Sequence, residues 1–157
     1  MSIFVLWVMH NVLLFYMNNS YYKIMALDYG DTKIGIALSD LTRTIAGGFE
    51  NYKRVSLDRD LQHIQDIIDT NNVKKVIIGL PLNMKGEDSS QSLKTREFAR
   101  QLESKLGITP EFYDERLTSK LAEKVLISAN VSREKRKQLI DKMSATIILQ
   151  NSLDSKN

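Results

Sequence analysis

The sequence of 157 residues contains no cysteine. That removes disulfides, thiolate nucleophiles and cysteine-based zinc sites, and it gives no hint of an oxidising compartment. Histidine is nearly as scarce. His10 and His63 each lack a second His nearby, which argues against a His-rich metal site. No low-complexity tract, internal repeat or dividing linker stands out, and no aromatic-rich surface points to base-specific reading. What remains is ordinary for one globular domain: 43% apolar residues, enough for a core, and 26% charged. The net charge of +3 and pI near 9.0 are a mild excess, compatible with a polyanionic partner.

The first 23 residues stand apart. MSIFVLWVMHNVLLFYM is almost wholly apolar, broken by Ser2 and by His10-Asn11. A membrane span needs about 20 apolar residues, so the run is short for one. It lacks the positive n-region and small-residue cleavage site of a signal peptide, and the arginines of a transit peptide. It reads as a short membrane-associating tail, an extra packed element, or a start called too early, with Met17 or Met25 as the true beginning. The expected organisation is residues 1–23 as an apolar extension and 24–157 as one domain. The expected compartment is the cytoplasm, without a membrane partner.

From Ile24 the hydrophobic period switches repeatedly. Ile24–Leu27 and Ile34–Leu38 read as strands joined by a Gly-containing turn, and Thr44–Lys53 as a third, with Gly47-Gly48 marking a bulge or bend. Ser56–Thr70 reads as a helix with Ser56 as N-cap, Asp58 and Asp60 in its first turn, and Leu57, Leu61, Ile64 and Ile68 as its stripe. Val73–Leu80 contains VIIGL, a run typical of a strand buried on both faces, and Pro81 stops it. The polar loop Asn83–Ser90 precedes a helix over Gln91–Leu106, with Leu93, Phe98, Leu102 and Leu106 inward and Gly107 as its stop. A short strand Glu111–Glu115, a helix over residues 117–128, and a last helix from about Arg133 or Lys137 to Ser152 complete the chain. Three hairpin-connected strands followed by alternating helices and strands predict an α/β fold: a mixed sheet with helices on both faces.

Three acidic positions interrupt this pattern. Asp28 ends the first strand, Asp114 and Glu115 end the short one, and Asp141 precedes MSATIILQ in the last helix. Each has a plain structural reading: Asp28 as a turn cap, Asp114 paired with Arg116, Asp141 solvated beside Lys137 or Lys142. Strand ends can instead converge at one edge of a mixed sheet, and Ser144 and Ala145 are small enough to bring the last helix close. Clustered carboxylates repel unless a cation neutralises them or one takes up a proton. Oxygen-only ligands select hard ions such as Mg²⁺ or Mn²⁺.

Four blocks carry a family resemblance: LDYGDTKIGIALSD at 27–40, VIIGLPLNMKGED at 76–88, YDERLTS at 113–119 and DKMSATIILQ at 141–150. In order and spacing they resemble the YqgF/RuvX family of the ribonuclease H-like superfamily. GLPLNM and DERLT are the specific elements. The resemblance implies a five-stranded mixed sheet of order 3-2-1-4-5. It implies a nuclease that matures the 5′ end of pre-16S rRNA in ribosome biogenesis, although some members have been called Holliday-junction resolvases acting on four-way DNA. It also implies Asp28, Glu115 (with Asp114 as the alternative) and Asp141 as catalytic and metal-binding acids. Three features depart from the family pattern: Thr32 where a basic residue is common, Lys142 and Ser144 where small residues are usual, and the N-terminal extension.

The expected chemistry is phosphodiester hydrolysis with two Mg²⁺ or Mn²⁺ ions. Lys33, Lys85, Arg116, Arg133 and Arg136 are the candidate contacts to a nucleic-acid backbone, and the basic run 133–137 reads equally as a solvated helix start. Pre-rRNA is the expected partner, with branched DNA as the alternative, and a monomer or homodimer is expected. Two rivals use the same residues. An actin-type or sugar-kinase ATPase cradles phosphates on a similar Asp-Gly-Thr hairpin but needs two such domains. A catalytically silent RNA- or transcription-associated module would not need all three acids.

Overall fold

The computed structural model describes residues 2–116 and 124–156, and within them every side chain except those of residues 18, 19 and 141. Strands β1 (Lys23–Tyr29), β2 (Lys33–Ser39) and β3 (Ala46–Lys53) form an antiparallel meander. Helix α2 (Leu57–Thr70) leads into β4 (Val73–Leu80), and α3 (Ser90–Leu106) into β5 (Glu111–Asp114). Both of these strands run parallel to β1, giving the predicted sheet order β3-β2-β1-β4-β5. Residues 124–128 are helical, and α4 (Arg133–Asp154) closes the described chain. Of the helix expected over 117–128, residues 117–123 lie outside the described residues.

The period of two along the central strands decides what each face carries. Met25 and Leu27 of β1 join Ile34, Ile36 and Leu38 of β2 against Leu61, Ile64 and Ile68 of α2 and Phe98 and Leu102 of α3. Tyr29 continues that face and stacks on Phe98, with ring centroids 4.2 Å apart. Ile24 and Ala26 face the other way. With Ala37 and Ile77 they meet Ala145, Ile148, Leu149 and Leu153 of α4. Asp28 is the next residue of that second series.

Four expectations need correction. Strand β1 runs past Leu27 through Asp28 to Tyr29, because pairing with β2 continues that far. Strand β3 begins at Ala46, not Thr44, because the Thr44 and Ile45 N–H groups donate to Asp40 Oδ1 at 2.7 and 2.9 Å. Strand β5 stops at Asp114, one residue short of Glu115. Leu93 is 56% exposed rather than inward. The reciprocal cap between Ser89 and Ser92 sets the phase of α3, and Ser92 and Thr95 take the buried positions instead.

The apolar N-terminal segment forms a helix, α1 (Ile3–Ser20), capped by Ser2. It is not the packed element considered above: every residue from 3 to 17 is exposed. Among the described residues, no helix is long and apolar enough to cross a membrane.

Candidate active site

Strand pairing draws one row across the sheet on the α4 face. Asn51 of β3 stands beside Gly35 of β2, and Gly35 beside Asp28 of β1. The β1–β4 register, which pairs Leu27 with Ile78, brings Gly79 to the other side of Asp28, and Gly79 pairs with Tyr113 of β5. An acid therefore sits in the centre of the sheet with a glycine on each flank. Both glycines make room. A Cβ at Gly35 would lie 3.4 Å from Asp28 Cβ and 3.5 Å from Ala145 Cβ, so α4 packs almost directly on the backbone there. A Cβ at Gly79 would collide with Glu115 Oε1 and come within 2.5 Å of Ile148 Cδ1. Glu115, just past the end of β5, thus reaches back over β4 toward Asp28.

The electrostatics separate the two neighbouring acids. Burial, then the charges of Asp28 and Asp114, push the Glu115 carboxyl up to about 7. Its neighbour behaves oppositely. Arg116 grips Asp114 with Nε 3.0 Å from both carboxylate oxygens and a terminal nitrogen 2.6 Å from Oδ2. That fork holds Asp114 below the usual carboxylate range. Asp141 belongs to α4, four residues before Ala145 and hence on the same helix face. Its side chain lies outside the described residues. Among those described, no three His, Cys, Asp or Glu side chains form a set able to hold a metal ion.

The turn after Asp28 is braced from several directions. The Gly30 N–H donates to the Lys33 carbonyl at 2.9 Å, and the Arg54 guanidinium donates to the carbonyls of Gly30 and Asp31 at 3.2 and 3.3 Å. Arg54 also lies over the Tyr29 ring and pairs with Asp60, a fully buried carboxylate that also accepts the Val55 N–H at 3.0 Å. Gln91 of α3 donates to the Tyr29 carbonyl at 2.9 Å. The strand that carries Asp28 is therefore fixed at its end, which is what an acid needs if its position is to be maintained.

The cationic candidates are dispersed. Lys33 is exposed at the start of β2, opposite Lys53, on the rim beyond Asp28. Lys85 is exposed on a loop that Asn83 closes by accepting the Lys85 and Glu87 N–H groups at 2.9 Å. Arg116, besides gripping Asp114, lies against Gly86 of that loop, where a Cβ would come within 2.9 Å of its guanidinium. Arg133 is exposed at the start of α4. Arg136 is half-buried and donates to the Val131 carbonyl at 2.8 Å, so it also helps to close the local turn.

Sequence reasoning missed Gly79, Gly35, Asn51 and the Arg54–Asp60 pair. An isolated glycine inside an apolar strand run signals close approach, so VIIGL held a readable clue. Asn51 and Asp60 carried no comparable signal.

Comparison with known proteins adds three findings. The family model RuvX, described as Holliday junction resolvase, matches residues 22–155. A protein of Syntrophomonas wolfei is 47% identical over 132 residues, 84% of this chain and 94% of its own length. One of Carboxydothermus hydrogenoformans is 47% identical over 135 residues, 86% and 98% of the two chains. Both bear the name "Putative pre-16S rRNA nuclease". Among solved structures, T. thermophilus RuvC in complex with Holliday junction substrate shares the fold. Its TM-score is 0.55 at 12% identity, over 87% of this chain and 96% of that one.

Proposed function

The chain belongs to the RuvX family, and on that footing we propose that it is a metal-dependent phosphodiester nuclease that processes the 5′ end of pre-16S rRNA in the cytoplasm. The observation that carries the reading is the convergence of Asp28 and Glu115 across the gap at Gly79. Burial first and then the charge of Asp28 raise the proton affinity of Glu115, and a divalent cation would offset both. The donor set is all oxygen, which suits Mg²⁺ or Mn²⁺. Asp28, Glu115 and, from α4, Asp141 are the residues that would hold the ions, two by this proposal. Bound there, the ions supply Lewis acidity and an activated water for in-line attack on phosphorus.

The remaining roles fall to the protein's own groups. Asp28 anchors the site from the centre of the sheet. Glu115 would be held as the carboxylate once a cation offset the charge of Asp28 beside it. Asp114 keeps Arg116 in place rather than serving as a ligand, because its oxygens are already committed to the guanidinium. Lys33, Lys85, Arg116, Arg133 and Arg136 are proposed to draw the phosphate backbone toward the site. Residues 24–157 form the proposed functional unit, with 1–23 as an extension to it.

The family description favours four-way DNA as a second substrate. RNA trimming needs one active site, whereas symmetrical cleavage of a junction needs two and hence a dimer. A side-by-side assay with Mg²⁺ separates the readings. We expect cleavage near the 5′ end of a pre-16S rRNA fragment and little on a four-way DNA junction. Cleavage of the junction alone, by a dimer, would favour the resolvase reading. Cleavage of neither with Mg²⁺ or Mn²⁺ would favour a catalytically silent module.

A further inference from the structure

A groove of about 390 Å³ lies between β3 and α4, next to the acidic row. Gly35 separates Asp28 from Asn51, and a Cβ there would lie 3.5 Å from Asn51 Oδ1. Gly48 lets Thr146 of α4 approach β3 closely, since a Cβ there would come within 3.2 Å of Thr146 Oγ1. Asn51 lines the groove, so the groove borders the row that leads through Gly35 to Asp28.

One wall has an unusual origin. Ile36 opposes Glu50 and Ala37 opposes Gly48, so the β2–β3 register skips Phe49. Phe49 is the extra residue of a β-bulge on an edge strand, a device that redirects a side chain. It lines the groove and is 48% exposed. The opposite wall comes from α4, where exposed Lys142 adds a positive charge and Thr146 a hydroxyl. Among the described lining residues the one carboxylate, Glu50, is engaged by His63 of α2 at 2.8 Å.

An exposed aromatic face, an amide, a hydroxyl and a lysine around a volume of nucleotide size match single-stranded nucleic acid. Bases stack on aromatic rings without regard to sequence, while phosphates seek cations and hydrogen-bond donors. We propose that this groove is a nucleotide subsite that holds the single strand beside the scissile phosphate. Phe49 lies against a base, Lys142 at a phosphate, and Asn51 and Thr146 on the sugar–phosphate backbone. The assignment rests on the nuclease reading for its position relative to the scissile bond. The binding itself is tested separately.

The test uses the full chain and a fluorescein-labelled single-stranded uridine RNA of about eight nucleotides. Anisotropy is read in chelator, where metal-dependent cleavage is silent, and steady-state cleavage is read with Mg²⁺. Phe49→Ala is expected to weaken binding and raise KM by about five- to tenfold, with kcat within about twofold. Lys142→Ala is expected to weaken binding about threefold and to lower the slope of log affinity against log salt by about one. Lys74→Ala, an exposed cation at the other end of the sheet, serves as the control and leaves affinity unchanged. Wild-type affinity in both groove variants overturns the subsite whether or not the protein cleaves RNA. Equal losses for Lys142→Ala and Lys74→Ala also overturn it, since that is non-specific attraction. Groove-dependent binding without any cleavage supports the subsite and instead contradicts the nuclease reading.

Discussion

Glu115→Gln abolishes cleavage and makes the metal-free protein more stable at pH 8. The sign follows from the site. In the unfolded chain this carboxyl ionises at its ordinary value of 4.5, whereas burial, Asp28 and Asp114 push it up to about 7 in the fold. Between those values the folded protein holds a proton that the unfolded chain has released, so stability falls as pH rises through the window. Above it the native state carries a buried carboxylate among like charges. The full penalty is up to about 3 kcal/mol. Glutamine is nearly isosteric and carries no charge, so thermal melts in chelator should match wild type near pH 4 and exceed it at pH 8. Added Mg²⁺ should narrow the gap by stabilising the wild type alone. A variant less stable than wild type at pH 8 in chelator would show that Glu115 is not held in a repulsive site.

The second large effect is expected at a residue with no functional group. Gly79→Ala places a methyl where Glu115 Oε1 and Ile148 Cδ1 now sit. Either Glu115 is displaced or α4 moves away from the sheet. Overpacking of this kind costs about 1–3 kcal/mol. Displacing a reacting group by an ångström costs about 10²-fold in rate. We therefore expect kcat to fall about 100-fold while the melting transition stays cooperative and substrate affinity in chelator stays near wild type. Gly79→Ala with full activity would mean that Glu115 need not occupy the gap. Gly35→Ala, whose Cβ meets its neighbours at 3.4–3.5 Å, should be milder.

The two glycines show where sequence reading succeeds and where it stops. The mixed sheet was legible because strand and helix periods are properties of single segments, whereas its order 3-2-1-4-5 was implied only by the family resemblance that the four motif blocks carry. Asp28 was legible because a carboxylate after an apolar run is costly and so stands out. The contrast between the surroundings of Asp114 and Glu115 was not legible. It depends on a fork from Arg116 in one direction and a gap over β4 in the other, and neither is a local property. Leu93 was misplaced for a related reason: a hydroxyl cap at Ser89 and Ser92, not hydrophobicity, sets the phase of its helix. The skipped residue Phe49 belongs to the same class. Gly47-Gly48 announced a bulge, but only the register with β2 identifies which side chain it releases.

Asp28 and Glu115 are proposed to form a cation-dependent hydrolytic centre. Its most direct test is single-turnover cleavage of a pre-16S rRNA fragment by wild type and by Asp28→Asn, each with Mg²⁺ and with chelator, alongside a melt of both proteins. Cleavage is predicted for the wild type with Mg²⁺ alone, while Asp28→Asn is inactive yet folded and at least as stable. Undiminished cleavage by Asp28→Asn, or cleavage by wild type that persists in chelator, would contradict the account.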